Sequence, residues 1–175
     1  MAALNWRAVI AIATAALILV LVNLSIAGKE KLLAEGRVVY LQLAPVDPRS
    51  LMQGDYMALN YTVAQQAASK LYSEGGADNR SGAMTAADGR IVVRLDNRSV
   101  ASFVRIEDGR PLADNEVAMR YRVRNGTLKF ATNAYFFQEG TGERYRKARY
   151  GMFRVAPDGE LLLTNLCDEN LHILN

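Results

Sequence analysis

The sequence predicts an α+β protein that is mainly β. One N-terminal transmembrane helix precedes a mostly antiparallel sheet, curled or barrel-like, with one or two short helices. Three observations predict it. Residues 8–27 are apolar and uncharged. From Gly36 onward the apolar residues alternate instead of recurring at helical spacing. Gly, Asn, Asp and Pro then punctuate that alternation at hairpin intervals. The 175 residues suffice for one buried core. We assign residues 1–31 to an anchor and 36–175 to a single soluble domain.

The anchor rests on length. Twenty residues from Ala8 to Ala27 are interrupted only by Thr14, Asn23 and Ser25. At ~1.5 Å per residue they reach ~30 Å, the hydrocarbon thickness of a bilayer. Arg7 flanks one end; Lys29, Glu30 and Lys31 flank the other. A cleavable signal peptide would instead use Ser25 and Ala27 before a cut near Gly28. The run is longer than most signal cores and lacks the polar stripe of a soluble surface helix, which favours an uncleaved anchor.

Val39, Leu41 and Leu43 share one face of a first strand over 37–44. Asp47, Pro48, Arg49 and Ser50 form a turn, and a second strand spans 54–63. Ala64, Ala67, Ala68, Leu71 and Tyr72 mark a helix over 64–73, stopped by Gly75 and Gly76. Residues 75–89 read as a loop. Strands follow at 90–95, 100–106, 116–124, 127–131, 134–137, 152–155 and 160–166. Asn125-Gly126 is the strongest hairpin signal, because both positions tolerate φ > 0. Pro157-Asp158-Gly159 makes another. Between 138 and 149 a second helix is expected, capped by Thr141 and carrying a Glu143–Lys147 pair at i+4.

The most specific block is Gly54-Asp55-Tyr56-Met57-Ala58-Leu59-Asn60-Tyr61. Gly54 supplies permissive backbone, Asp55 can accept turn amides, and Leu59, Tyr61 and Val63 alternate onto one face. Tyr56 points the other way, so one tyrosine belongs to the core and the other to a groove. This block resembles the signature of the GDYXXLXY family, a group of bacterial membrane-anchored proteins without an established function. The segment from Phe136 through Gly151 and the hairpin after it look like further shared elements. The resemblance implies anchoring in the inner (cytoplasmic) membrane with a single pass. It also implies an amino terminus left in the cytoplasm and a periplasmic, extracytoplasmic domain, although Lys29, Lys31 and Arg37 outnumber Arg7 on the far side. It implies no activity.

Charge is concentrated. Residues 90–154 hold fourteen Lys or Arg against seven Asp or Glu, whereas the chain as a whole carries +3. Arg120, Arg122 and Arg124 alternate with Tyr121 and Val123 and project from one sheet face. Arg144, Arg149 and Tyr150 add a second candidate anion- or partner-binding group. The plain alternative is a solvated outer face. Arg outnumbers Lys sixteen to five, which suits planar contacts with carboxylate or phosphate. No nucleic-acid-binding module occurs, so no nucleic-acid partner is expected.

Chemistry is hard to place. The single Cys167 reads as a semi-buried small residue, and neither it nor His172 sits in a catalytic motif. No metal or cofactor signature is present, so no cofactor and no metal are expected. Glu139 and Glu143 stand four apart but beside Arg144 and Lys147, as in ordinary helix ion pairs. Gly54-Asp55 is similar to a strand entry in membrane-anchored signal peptidases. Ser50, however, lacks their Ser-Met-x-Pro context, and Lys70 falls on a helix. The reading is a non-enzymatic accessory module that binds a membrane or envelope protein through its basic face. The alternative is an envelope hydrolase or ligand-binding protein with a cleft near Asp55, Tyr56 and Tyr150. A third reading is a binder of lipid surfaces.

Overall fold

The computed structural model describes residues 6–44, 52–53, 56–73 and 85–174. It begins with one uninterrupted helix, α1 (Trp6–Glu35), of which only Leu32 is buried. The helix is long and apolar enough to cross a membrane. It does not stop where the apolar run ends. Two further turns carry it into the head, where it meets the strands Tyr150–Val155 and Leu161–Cys167.

Among the described residues ten strands follow: β1 (Arg37–Gln42), β2 (Met52–Gln53), β3 (Tyr56–Ala58), β4 (Ala87–Leu95), β5 (Ala101–Ile106), β6 (Glu116–Arg124), β7 (Thr127–Lys129), β8 (Ala134–Phe136), β9 (Tyr150–Val155) and β10 (Leu161–Cys167). Helix α2 (Thr62–Ser73) separates β3 from β4, and a 3₁₀ helix (Gly142–Lys147) precedes β9. The strands make three sheets, ordered β1-β9-β10, β2-β3-β8 and β5-β4-β6-β7. All pairings between these strands are antiparallel.

Backbone bonds stitch the sheets into a curled half-barrel. Tyr40 N–H donates to Ser99 O at 2.9 Å, joining β1 to the β4–β5 turn. Arg120 N–H donates to Gly159 O at 2.8 Å, joining β6 to the tip of the β9–β10 hairpin. The core lies inside that curl. It takes Val39 and Leu41 from β1, Ile91 and Val93 from β4, Met119, Tyr121 and Val123 from β6, and Phe153 and Val155 from β9. Helix α2 lays Val63, Ala64 and Ala67 against it.

The sequence-derived boundaries hold for β6 and shift elsewhere. The strand expected over 54–63 is only three residues of β3 within the described part; Gly54 and Asp55 lie outside the described residues. Helix α2 starts at Thr62, because Tyr61 O already accepts the N–H groups of Ala64 and Gln65. The loop expected to reach Gly89 gives way to β4 at Ala87, since β6 extends far enough to pair Ala87 with Val123. Asn125 and Gly126 have φ of 53° and 69°, as a two-residue hairpin turn requires.

The helix expected over 138–149 is instead a single 3₁₀ stretch of six residues. Gly140 sits at φ 79° just before it. The Thr141 hydroxyl donates back to Gln138 O at 2.6 Å and does not cap the helix. Three residues per turn aligns i with i+3, so Glu143 pairs with Arg146 at 2.8 Å rather than with Lys147.

Candidate functional site

The described part of the signature block is a junction. Tyr56 lies opposite Phe136 across β3 and β8, with ring centroids 5.8 Å apart. Leu59 is locked by a paired bond: its N–H donates to Asn133 O at 2.7 Å, and its carbonyl accepts from Asn133 Nδ2 at 3.3 Å. Asn60 O accepts the Ala44 N–H, and Tyr61 bridges to Leu43 of the first strand region. The edges of two sheets and one helix start therefore meet within six residues of chain. This is why the block demands specific residues.

Tyr61 sits at the centre of that junction. Its ring lies 5.4 Å from Phe153 and 5.9 Å from Phe130. It is fully buried, and its hydroxyl has no hydrogen-bond partner among the described residues. Burial pushes its pKa well above the ordinary tyrosine range. Tyr61 is thus the core tyrosine and Tyr56 the half-exposed one, as the alternation implies. Gly151 explains how the ring fits: a Cβ there would stand 3.3 Å from Tyr61 Cε1 and 3.1 Å from Phe153 Cε2.

The basic face is real but partly engaged. Arg120, Arg122 and Arg124 are all exposed, and the intervening Tyr121 and Val123 are buried. Arg120 Nη2 reaches Asp158 Oδ2 at 2.8 Å, and Arg124 Nη2 reaches Asp88 Oδ1 at 2.8 Å. The hairpin tip rests on this face. A Cβ at Gly159 would lie 3.2 Å from Ala118 O, 3.2 Å from Arg90 Cδ and 3.4 Å from Arg120 Cγ. Val92 and Ala118, on the outward side of β4 and β6, are consequently buried. Arg122 stands between Asp88 of β4 and Lys129 of β7 in the strand register and makes no ion pair among the described residues.

Arg144, Arg149 and Tyr150 do not extend this face. Arg144 belongs to the 3₁₀ helix. Arg149 leads into β9, donating its N–H to Cys167 O and Nη1 to Ala148 O. Tyr150 pairs between Gln42 and Cys167 in the β1-β9-β10 sheet.

A second charged cluster was not legible in the sequence. Glu116, its side chain 8% exposed, receives Arg105 Nη1 at 3.0 Å and Arg94 Nη2 at 3.5 Å. Burial alone would raise the Glu116 pKa, but the Ala113 N–H and these guanidinium groups outweigh it and lower it. Asp108 bridges Arg110 and Arg105, and its hydrogen bond from Arg110 holds its carboxyl well below the usual range. An open groove of about 350 Å³ lies over this cluster. Its guanidinium groups already face carboxylates, so the cluster braces the 107–115 loop.

No reaction centre is assembled from the candidates that can be placed. Cys167 is fully buried, correcting its expected half-exposure, and burial together with Asp168 raises its thiol pKa. His172 is exposed and lies 3.5 Å from Asp168. Lys70 is in the last turn of α2, while Ser50 lies outside the described residues. A cleft of about 130 Å³ lined by Asn60, Gln65, Leu128 and Asn133 is too small for most ligands.

An apolar N-terminal helix continuous with a curled, mostly antiparallel head defines the class. The family model for GDYXXLXY proteins matches residues 18–166, so the chain belongs to the GDYXXLXY family. No curated protein and no solved structure matches it.

Proposed function

We propose that the protein is a membrane-anchored accessory module with its head on the extracytoplasmic, periplasmic side of the inner membrane. The head binds a membrane or envelope protein through its basic face. One observation carries this reading: α1 passes from the apolar run into the head without a linker. Lys29 is ion-paired with Glu160 of the β9–β10 hairpin. Leu32 is buried, and Gly36 N–H donates to Leu32 O at 2.9 Å. Arg154 Nη1 then donates to Gly36 O at 3.0 Å. Such a joint suits a domain held at fixed height over a bilayer. A leader cut near Gly28 would break it.

Arg122 and Lys129 form the available part of the face, flanked by the engaged Arg120 and Arg124. In the register Arg122 lies between Asp88 of β4 and Lys129 of β7, and Asp88 is ion-paired with Arg124, so an acidic partner surface would complement Arg122 and Lys129 together. The test is co-purification from gently solubilised membranes. Arg122→Glu with Lys129→Glu is expected to remove the principal partner from the full-length chain. An unchanged partner list would discard the basic face.

A further inference from the structure

We infer that α1 is also an association surface for a second copy of this chain, with Asn23 as its contact. The inference rests on the membrane-spanning reading above. Asn23 is the one carboxamide within the apolar run. It lies about four residues, or ~6 Å, inside the run's C-terminal end. Its Nδ2 donates to Leu19 O at 2.8 Å. One N–H and both lone pairs of Oδ1 remain unmet among the described residues. In hydrocarbon no water supplies them, and an unmet polar group there is costly.

The geometry also fixes which way this side chain faces. Leu32 marks the side of α1 that docks on the head. Asn23 and Leu32 are separated by about two and a half turns at ~3.6 residues per turn, so they project from opposite sides. Lys29, ion-paired to the head, falls near the Leu32 side. The Asn23 side forms a shallow groove along the helix, lined by Val20, Asn23, Ala27 and their neighbours. Ala16 and Ala27 are small on this line, and Leu19, Val20 and Ile26 beside Asn23 supply apolar packing for another helix. A partner helix can therefore reach Asn23 without meeting the head.

The carboxamide selects the occupant. It carries donor and acceptor in one group, so it is complementary to itself across a two-fold axis. Copies inserted in the same direction place Asn23 at the same depth, which a foreign helix achieves only with its own matched polar residue. The result is a parallel pair. The seam ends at Ala27, because Glu30 on the same side would face its own copy.

The test uses the full-length chain, labelled and reconstituted in zwitterionic vesicles at varied protein-to-lipid ratios. Energy transfer should rise with density, and Asn23→Leu should weaken association about three- to twentyfold. Under oxidation Ala27→Cys should cross-link to a dimer, whereas Leu21→Cys, on the head side, should not. Cys167 is buried and contributes no cross-link. Density-independent transfer, an unaltered Asn23→Leu, or equal cross-linking at Leu21 would overturn the inference. So would a different membrane protein recovered one-to-one and lost in Asn23→Leu. Alkaline extraction separates the two readings. Release from the membrane would remove the anchor and this inference together; retention of a monomeric chain would remove this inference alone.

Discussion

Asp158, at the tip of the β9–β10 hairpin, accepts a hydrogen bond at 2.8 Å from Arg120, in the middle of β6. The two residues belong to different sheets. Their contact folds one hairpin over the outward face of the other sheet, reinforced by the Arg120 N–H to Gly159 O bond. The same hairpin holds Lys29 through Glu160. Basic face, hairpin and α1 are thus one mechanical unit.

Both partners of that ion pair are about half exposed, so its own contribution is small. Asp158→Ala also removes the bond from Glu160 N–H to Asp158 Oδ1 at 3.0 Å and should cost about 1–2 kcal/mol in all, in urea unfolding of the full chain in mild detergent. The reversed pair, Arg120→Asp with Asp158→Arg, should recover part of the loss. A cost several times larger would mean that the hairpin tip depends on Asp158 for more than these contacts.

Tyr61→Phe should leave the protein as stable as before or more stable by about 1 kcal/mol, because it removes a buried hydroxyl without a partner. Tyr61→Ala should lose about 3–5 kcal/mol through the cavity left between Phe130 and Phe153. Thermal or urea unfolding checks both.

Raised tyrosine pKa values set the alkaline limb. Burial raises Tyr61 most, and it also raises Tyr121 and Tyr135. A neutral folded phenol that ionises near ~10 when unfolded stabilises the fold below that pH. The stability is lost as pH rises beyond it. Phenolate absorbance from the buried tyrosines should therefore appear together with loss of near-ultraviolet dichroism.

Carboxylates set the acid limb with the opposite sign. Glu116, Asp108 and Asp168 are all held below their ordinary values. Their stabilisation is present above the unfolded carboxylate range and is lost as pH falls through and below it. Glu116→Gln should lower the melting temperature at neutral pH and flatten the acid limb, read by melting curves from pH 7 to 3.

Gly36→Ala addresses the joint. A Cβ there would collide with Leu32 O and stand 3.0 Å from Arg154 Cβ. The neighbours are backbone and a strand Cβ, neither free to swing aside. The substitution should cost about 1–3 kcal/mol. It should also loosen the last turns of α1, seen as faster amide exchange at residues 29–35.

The strands were legible because their turns are written in short-range chemistry. Asn125-Gly126 and Pro157-Asp158-Gly159 need only their own backbone preferences, and Val39 with Leu41 need only alternation. The 3₁₀ stretch was misread because Glu143 and Lys147 look helical, while Gly140 and the Thr141 bond to Gln138 tighten the turn. Tyr61 was correctly separated from Tyr56 by face. That it ends one sheet edge and starts α2 depends on Leu43, Phe153 and Phe130, all distant in sequence. Likewise, the alternation placed Arg120, Arg122 and Arg124 on one side. Only the fold could show that Asp158 and Asp88 engage two of them and leave Arg122 opposite Lys129.

The absence of slack between Glu35 and Arg37 has a further consequence. Any rotation of α1 about its long axis must swing Arg122 and Lys129 around that axis by the same angle. On the proposed membrane arrangement the chain would behave as a compass needle rather than a tethered float: reorienting the rod within the lipid would aim or avert its positive edge.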